Sequence, residues 1–357
     1  MSYFGAVNLK DEDGLAYGIK QVGNKPRVSS MPYLYDIAEG NIADHTTFRK
    51  IGFTPTMTTA VSDIWSGAGA YVFPVAAAGR QVLSTNNDAD IGTSIFSGTS
   101  NGGSTTSLID TTKDFTAGTP VAVGDCVILD KSGTTPEYGY VTAVAATTLT
   151  LARGFSQGGT GDTRAYNVVD YSATAGAHVV EVQYLDGSYV EKREIIILNG
   201  TTVVATTNLD IFRINDFHVI ATGSNGIPTG ALAIRNLAGT PNYGYITAGY
   251  NSMRSSVYTV PATKTLYLVS ATLSYGYSTN QTHYSRLFLR ATQDENGFVN
   301  EQPIKLFHPF AEVVCANTSE HIVLELPTVL SSRVDLKVSG ISTFSGIANS
   351  VLRGWIE

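Results

Sequence analysis

Residues 178–207, HVVEVQYLDGSYVEKREIIILNGTTVVATT, constrain the fold more than any other stretch. Asp186-Gly187 and Asn199-Gly200 are dipeptides that tolerate positive φ at both central positions of a type I′ turn, and Val, Ile, Tyr and Thr flank each one. The spacing predicts three antiparallel strands joined by two tight turns. Val180, Val182 and Tyr184 alternate with Glu181, Gln183 and Leu185, so one face is expected in a core and the other in water. The chain is therefore expected to be all-β and antiparallel.

At 357 residues the chain exceeds what one small core organises, and roughly two to three domains are expected. Hydrophobic residues at 43% are ample for folding, whereas charged residues at only 15% and 35 glycines suit strands and turns better than charged helices. A net charge of −7, with Lys192-Arg193 set between Glu191 and Glu194, argues against nucleic acid or an anionic membrane as partner. The start, MSYFGAVNLKDEDG, has acids where a signal peptide needs an apolar core, and no later run reaches the ~20 apolar residues of a spanning helix. Synthesis in a cytoplasm without export is the expectation. Cys126 and Cys315 fall in different predicted domains and are expected to be separate buried thiols.

Residues 1–58 read as an extended arm, because Gly14, Gly18, Gly23, Pro26, Pro32, Gly40, Gly52 and Pro55 interrupt every apolar fragment. Tyr33, Tyr35, Ile37, Phe48 and Phe53 give this arm more apolar surface than a free tail carries, so they are candidate contacts to a neighbouring subunit or to the first sandwich. Strand signals begin at about residue 59. Residues 96–168 are bordered by SGTSNGGSTTS and FSQGGTGDTR, and hold VAVGDCVILD, YGYVTAV and TLTLARG as short strands. They are predicted to form a small β-barrel-like domain inserted into a loop of the first β-sandwich, itself residues 59–95 and 169–250. A second sandwich, 251–357, follows with SSVYTVPATKTLYLVSATLSYG, SRLFLRATQ, HIVLELPTVL, RVDLKVSG and VLRGWIE. The predicted architecture is thus two antiparallel, jelly-roll-like sandwiches, an inserted barrel and an amino-terminal arm.

No catalytic signature is present: no G-x-S-x-G, H-E-x-x-H, C-x-x-C or phosphate loop. His45, His178, His218, His283, His308 and His321 are scattered and read as polar surface or subunit contacts rather than metal ligands. Asn86, Asn87, Asp88 and Asp90 have calcium-loop spacing, but Ser97 stands where the bidentate Glu belongs, so a plain loop is expected. Trp65 reads as a core residue ahead of a loop rather than a sugar platform. Among 19 tyrosines, Tyr275, Tyr277 and Tyr284 surround the polar run SYGYSTNQTHYS and are candidate partner or sugar contacts at one end of a sandwich. No enzyme activity, metal or cofactor is expected.

The runs YDIAEGNIADHTTFRKIGF, VSDIWSGAGAYVFP, EIIILNGTTVVATTN, IFRIN, ATGSNG, AIRN and AGYNSMRSSVYTVPATKTLYLVS together resemble virion structural proteins of tailed bacteriophages. The resemblance covers most of the chain outside the insert and is most specific in the NGTT and YTVP blocks. It implies a particle component in the virion, first as a capsid decoration or cement protein. Such a protein would form a trimer and bind the major capsid protein or other virion proteins. The alternative it implies is a head-fibre, tail-fibre or baseplate adhesin touching a host surface glycan. No catalytic residues come with it.

Overall fold

A computed structural model describes residues 36–155, 163–279, 282–294, 296–299 and 305–357, and four two-residue strands of the arm. Those four pair locally, Leu9–Lys10 with Ala16–Tyr17 and Gln21–Val22 with Lys25–Pro26. The remaining architecture is all-β and antiparallel, with one helical turn at 36–38.

The first sandwich faces a three-stranded sheet against a four-stranded one. The first has the order Glu191–Ile197, Ala177–Leu185, Arg213–Thr222; the second has Val204–Ala205, Arg80–Ser84, Leu232–Asn236, Asn242–Ile246. Val180, Val182, Tyr184, Phe217, Ile234 and Ile246 fill the space between them. The first predicted hairpin forms, with Leu185 opposite Glu191 and Asp186 N–H donating to Val190 O, which leaves a three-residue loop, 187–189, rather than a two-residue turn. Tyr189 N–H donates to Asp186 O, and Tyr189, not Gly187, takes positive φ at 64°. The second predicted hairpin does not form. Asn199-Gly200 turns the chain, with Gly200 at φ 60°, but Val204–Ala205 then pairs with Arg80–Ser84 in the opposite sheet.

The segment predicted as an insert lies within a seven-stranded antiparallel sheet that runs from Thr93 to Asp170 and closes on itself. Its strands run Thr93–Thr99, Ala165–Asp170, Cys126–Leu129, Glu137–Ala145, Thr148–Leu151, Ser107–Ile109, Gly102–Ser104. The first and last are consecutive in the chain: Ser100 N–H donates to Arg164 O on one side and Asn101 N–H to Ile109 O on the other, which closes the sheet. The barrel does not hang free. Cys126, Ile128 and Val169 pack on Val179, Ile195, Ile220 and Ala221, the outer face of the three-stranded sheet. That face was expected to be wet. Each large aliphatic side chain covered there contributes about 1.5–3 kcal/mol relative to exposure.

The second sandwich faces Tyr258–Thr259, Asp335–Ser342, Ser285–Ala291, His308–Cys315 against Ser319–Leu330, Leu266–Gly276, Gly346–Ile356, Thr46–Met57. The last strand corrects the arm. Thr46–Met57 pairs with Gly346–Ile356 along its length and sends Phe48 and Met57 into the core with Leu268, Leu273, Leu287 and Leu352. The segment therefore docks on the carboxy-terminal sandwich of its own chain, and Ser62–Asp63 joins the facing sheet beside Ser339 and Gly340. The residues that read as breakers fit this edge. Pro55 lies where the register shifts between Gly346 and Ala348, and a Cβ on Gly52 would meet Ser350 Oγ at 2.4 Å and Ile64 O at 2.8 Å. Pro309 and Pro327 likewise lie in the strands at the other edges, where a missing N–H costs no inner pairing.

One ion pair ties the two sandwiches. Arg213 is 2% exposed and meets Asp335, which is 0% exposed, through two hydrogen bonds of 3.0 Å each. Arg213 also donates to Pro74 O and lies 4.0 Å over the Phe212 ring, while Thr259 Oγ1 donates to Asp335. Asn215 and Thr259 add a reciprocal backbone–amide pair at 2.8 and 2.9 Å. Removing one member of a buried pair strands the other charge, at about 3–5 kcal/mol. Arg213→Ala should therefore lower stability by about that amount, read from the denaturant midpoint, and Arg213→Met with Asp335→Leu should lose clearly less. Equal losses in the two variants would contradict this reading.

Candidate functional site

The structure scatters the predicted contact residues. Tyr33 and Tyr35 lie outside the described residues. Ile37 is buried against Val269 and Trp355, and Phe48 packs edge-to-face on Tyr258 at 4.9 Å, so both serve this chain's own core rather than a neighbour. Phe53 is half-buried beneath the Arg254 guanidinium, 5.0 Å from its ring. Tyr275 is buried with its hydroxyl donating to Phe344 O at 2.6 Å. Tyr277 and Tyr284 do reach one end of the second sandwich. There Tyr277 meets His283 edge-on at 5.2 Å, His283 stacks on Phe344 at 4.5 Å, and Tyr284 is 50% exposed.

Other side chains singled out in the sequence prove structural. Trp65 is buried, edge-to-face with Tyr71, and its indole N–H donates to Gly69 O. Asp90, in the loop with calcium-like spacing, is fully buried and accepts from the backbone N–H groups of Ala177, Thr229 and Gly230 and from Ser84 Oγ. The neighbouring Asp88 accepts from Thr201 of the NGTT turn, so this loop pins that turn in place. Among the described residues no cluster of His, Cys, Asp and Glu could hold a metal ion. Cys126 and Cys315 are free and buried, and burial pushes the Cys126 thiol up to about 12, far from a reactive thiolate. No helix among the described residues is long and apolar enough to cross a membrane.

A cleft of about 790 Å³ opens where the edge strand Thr46–Met57, the three-stranded sheet and residues 134–135 of the barrel meet. Lys50 reaches into it, donates to Asn215 O and lies 5.9 Å over the Tyr258 ring. Burial lowers the Lys50 pKa, and the nearby Asp216 carboxylate offsets part of that drop. Asp216 accepts from His218 Nδ1 at 2.9 Å. Burial alone would raise the Asp216 pKa, but the His218 hydrogen bond and the charge of Lys50 hold it below the usual carboxylate value. An Asp–His pair of this kind can hold a proton. No hydroxyl or thiol among the described residues is hydrogen-bonded to the imidazole as a nucleophile would be. Nothing local in NDFH announced this pair, because its setting depends on Lys50, 165 residues from the Asn215 carbonyl it meets.

A scan against protein-family models, a search of curated proteins and a search of solved structures each return no match to this chain.

Two histidines titrate in opposite directions. Burial alone would lower His218, yet the Asp216 hydrogen bond and the carboxylates of Asp216 and Glu181 raise it above its ordinary 6.5. Its contribution to stability is therefore full below pH 6.5 and is lost as pH rises through the folded value. His178, expected at the surface, is fully buried, with Nε2–H donating to Thr174 O and Nδ1 without a partner among the described residues. Burial lowers its pKa below 6.5, so its cost appears as pH falls through 6.5, where the unfolded chain takes up a proton first. NMR titration of the imidazole Cε1 protons should place the His218 midpoint above 6.5 and that of His178 below it; the reverse order would refute the assignment.

Proposed function

We propose that this chain is a structural protein of a tailed-bacteriophage particle, acting as a capsid decoration or cement protein that binds the head shell. The observation that carries this reading is an open, apolar flank on the second sandwich. Val314 stands on one edge strand and Val323, Leu326 and Val329 on the other, with Leu326 82% exposed. Edge strands of monomeric proteins are normally blunted by charge, so such a flank suits a permanent protein partner. The two blocks most like phage virion proteins support it too, because both are structural joints. The NGTT turn is pinned by Asp88, and Thr259 of the YTVP block bonds both Asn215 and Asp335 across the sandwich junction. Trimerisation and contact with the major capsid protein belong to this proposal.

A second reading is a fibre-type adhesin, favoured by the aromatic end formed by Tyr277, His283, Phe344 and exposed Tyr284. Rings held this way can stack on a sugar face. Counting and imaging labelled copies on intact particles separates the two. A decoration protein is expected at shell-like copy number, spread over the head. A few copies clustered at the tail would overturn it, and loss of adsorption blocking in Tyr284→Ala would then support the adhesin.

A further inference from the structure

The edge strand Thr46–Met57 carries a row of unpaired backbone groups into the cleft. At the end of its neighbour Gly346–Ile356, Glu357 N–H donates to Thr265 O and Thr265 N–H to Glu357 O, so the odd-numbered residues of that neighbour turn their backbone groups toward Leu266–Gly276. The even-numbered ones therefore face Thr46–Met57 and bond Thr46, Phe48, Lys50 and Gly52, which stand opposite them. Thr47, Arg49, Ile51 and Phe53 point their N–H and C=O groups the other way. Phe53 N–H finds Arg254 O at 3.4 Å, in keeping with that direction. Thr47, Arg49 and Ile51 have no such partner among the described residues, and all three line the cleft. An open strand edge of this kind is a template for pairing with another chain.

The charge around this edge selects what pairs with it. On a chain of net charge −7, Arg49 and Arg254 in the cleft have no ion-pair partner among the described residues, and Arg193 reaches only Glu181, at 4.0 Å. Glu191 and Asp216 are the carboxylates on the cleft wall, and Asp216 is already engaged with His218. Arg49 also stands opposite Arg353 on the adjacent strand, where both side chains are exposed. Like charges so placed destabilise a sheet unless an anion lies over them. We propose that residues 47–51 are the docking edge for an extended, acidic segment of another protein, which adds to this four-stranded sheet as a fifth strand. The main chain of that segment satisfies the open positions over about 14 Å, and its carboxylates meet Arg49 and Arg254. A sugar or a lone anion would answer the charge but leave the amides open. This edge lies at the opposite side of the sheet from the strand carrying Leu326, and the inference does not rest on the particle assignment, which copy number tests separately.

Amide hydrogen exchange of the full-length chain, with the peptide Thr-Glu-Val-Asp-Val-Glu-Thr as probe, tests this. Without peptide, the N–H groups of Thr47, Arg49 and Ile51 should exchange fast between the slow ones of Phe48 and Lys50. Saturating peptide should slow those fast amides roughly tenfold, whereas a peptide with Lys in place of each acid, or with alternate amides N-methylated, should not. Arg49→Glu with Arg254→Glu should weaken binding roughly tenfold. Ile51→Pro removes an N–H that bonds nothing, so this variant should fold, keep the slow Lys50 amide and lose the peptide. Slow amides at Thr47, Arg49 and Ile51 before any peptide is added would mean that the chain's own arm holds the edge, and protection that rises with protein concentration would mean that a second copy does. Either result overturns the proposal, as does binding that leaves these amides fast, binding of the N-methylated peptide, or no binding at all.

Discussion

The Arg213–Asp335 pair is the constraint on which the arrangement of this molecule depends. It joins a strand of the first sandwich to a strand of the second across 122 residues of sequence, with both charges out of water. A buried charge tolerates only a geometry that supplies its partner, and here the two hydrogen bonds, the Phe212 ring, the Pro74 carbonyl and the Thr259 hydroxyl meet that need together. Any rotation of one sandwich against the other would strand both ions. A second cluster repeats the device nearby: Asp63 accepts from Lys337 at 2.9 Å and from Tyr71 N–H at 2.6 Å, fixing residues 63–71 to the second sandwich.

Around that junction the barrel and the amino-terminal strand act as covers rather than appendages. The barrel shields Val179, Ile195 and Ile220, which would otherwise face water as the back of a three-stranded sheet. Thr46–Met57 closes one edge of the second sandwich, and the turn at 36–38 caps the stacked pair Tyr267–Trp355, whose rings lie 4.9 Å apart. His45 extends that seam with a 2.9 Å contact to Glu357. The cleft lies where these covers meet, and the uncovered flank carrying Leu326 lies at the opposite edge of the same sheet as Thr46–Met57. The molecule thus separates an internally tied body from an exposed apolar flank.

Much of the local structure was legible in the sequence because alternation and turn chemistry act over a few residues. The strand at 177–185 and the strands of the second sandwich follow from patterns of that range. What failed depended on distant partners. Gly52 and Pro55 looked like interruptions because their accommodation requires Ser350 and a bulge opposite residue 347. Asn199-Gly200 promised a hairpin, but the strand after it finds Val82, over a hundred residues earlier. Glu181 marked a wet face and His178 read as a polar surface or subunit contact, yet both are buried: Glu181 accepts from Gln183 and lies 4.0 Å from Arg193, and His178 bonds Thr174. Likewise Asp216 and His218 gained significance only when Lys50 was placed beside them. A single sequence does not encode such encounters in its spacing.

The central claim is that buried charges and shared apolar faces make the two sandwiches and the barrel one cooperative body. Scanning calorimetry of the wild-type chain tests this most directly. The account predicts one transition in which the calorimetric and van't Hoff enthalpies agree. Two resolved transitions, with the barrel or either sandwich melting by itself, would contradict it.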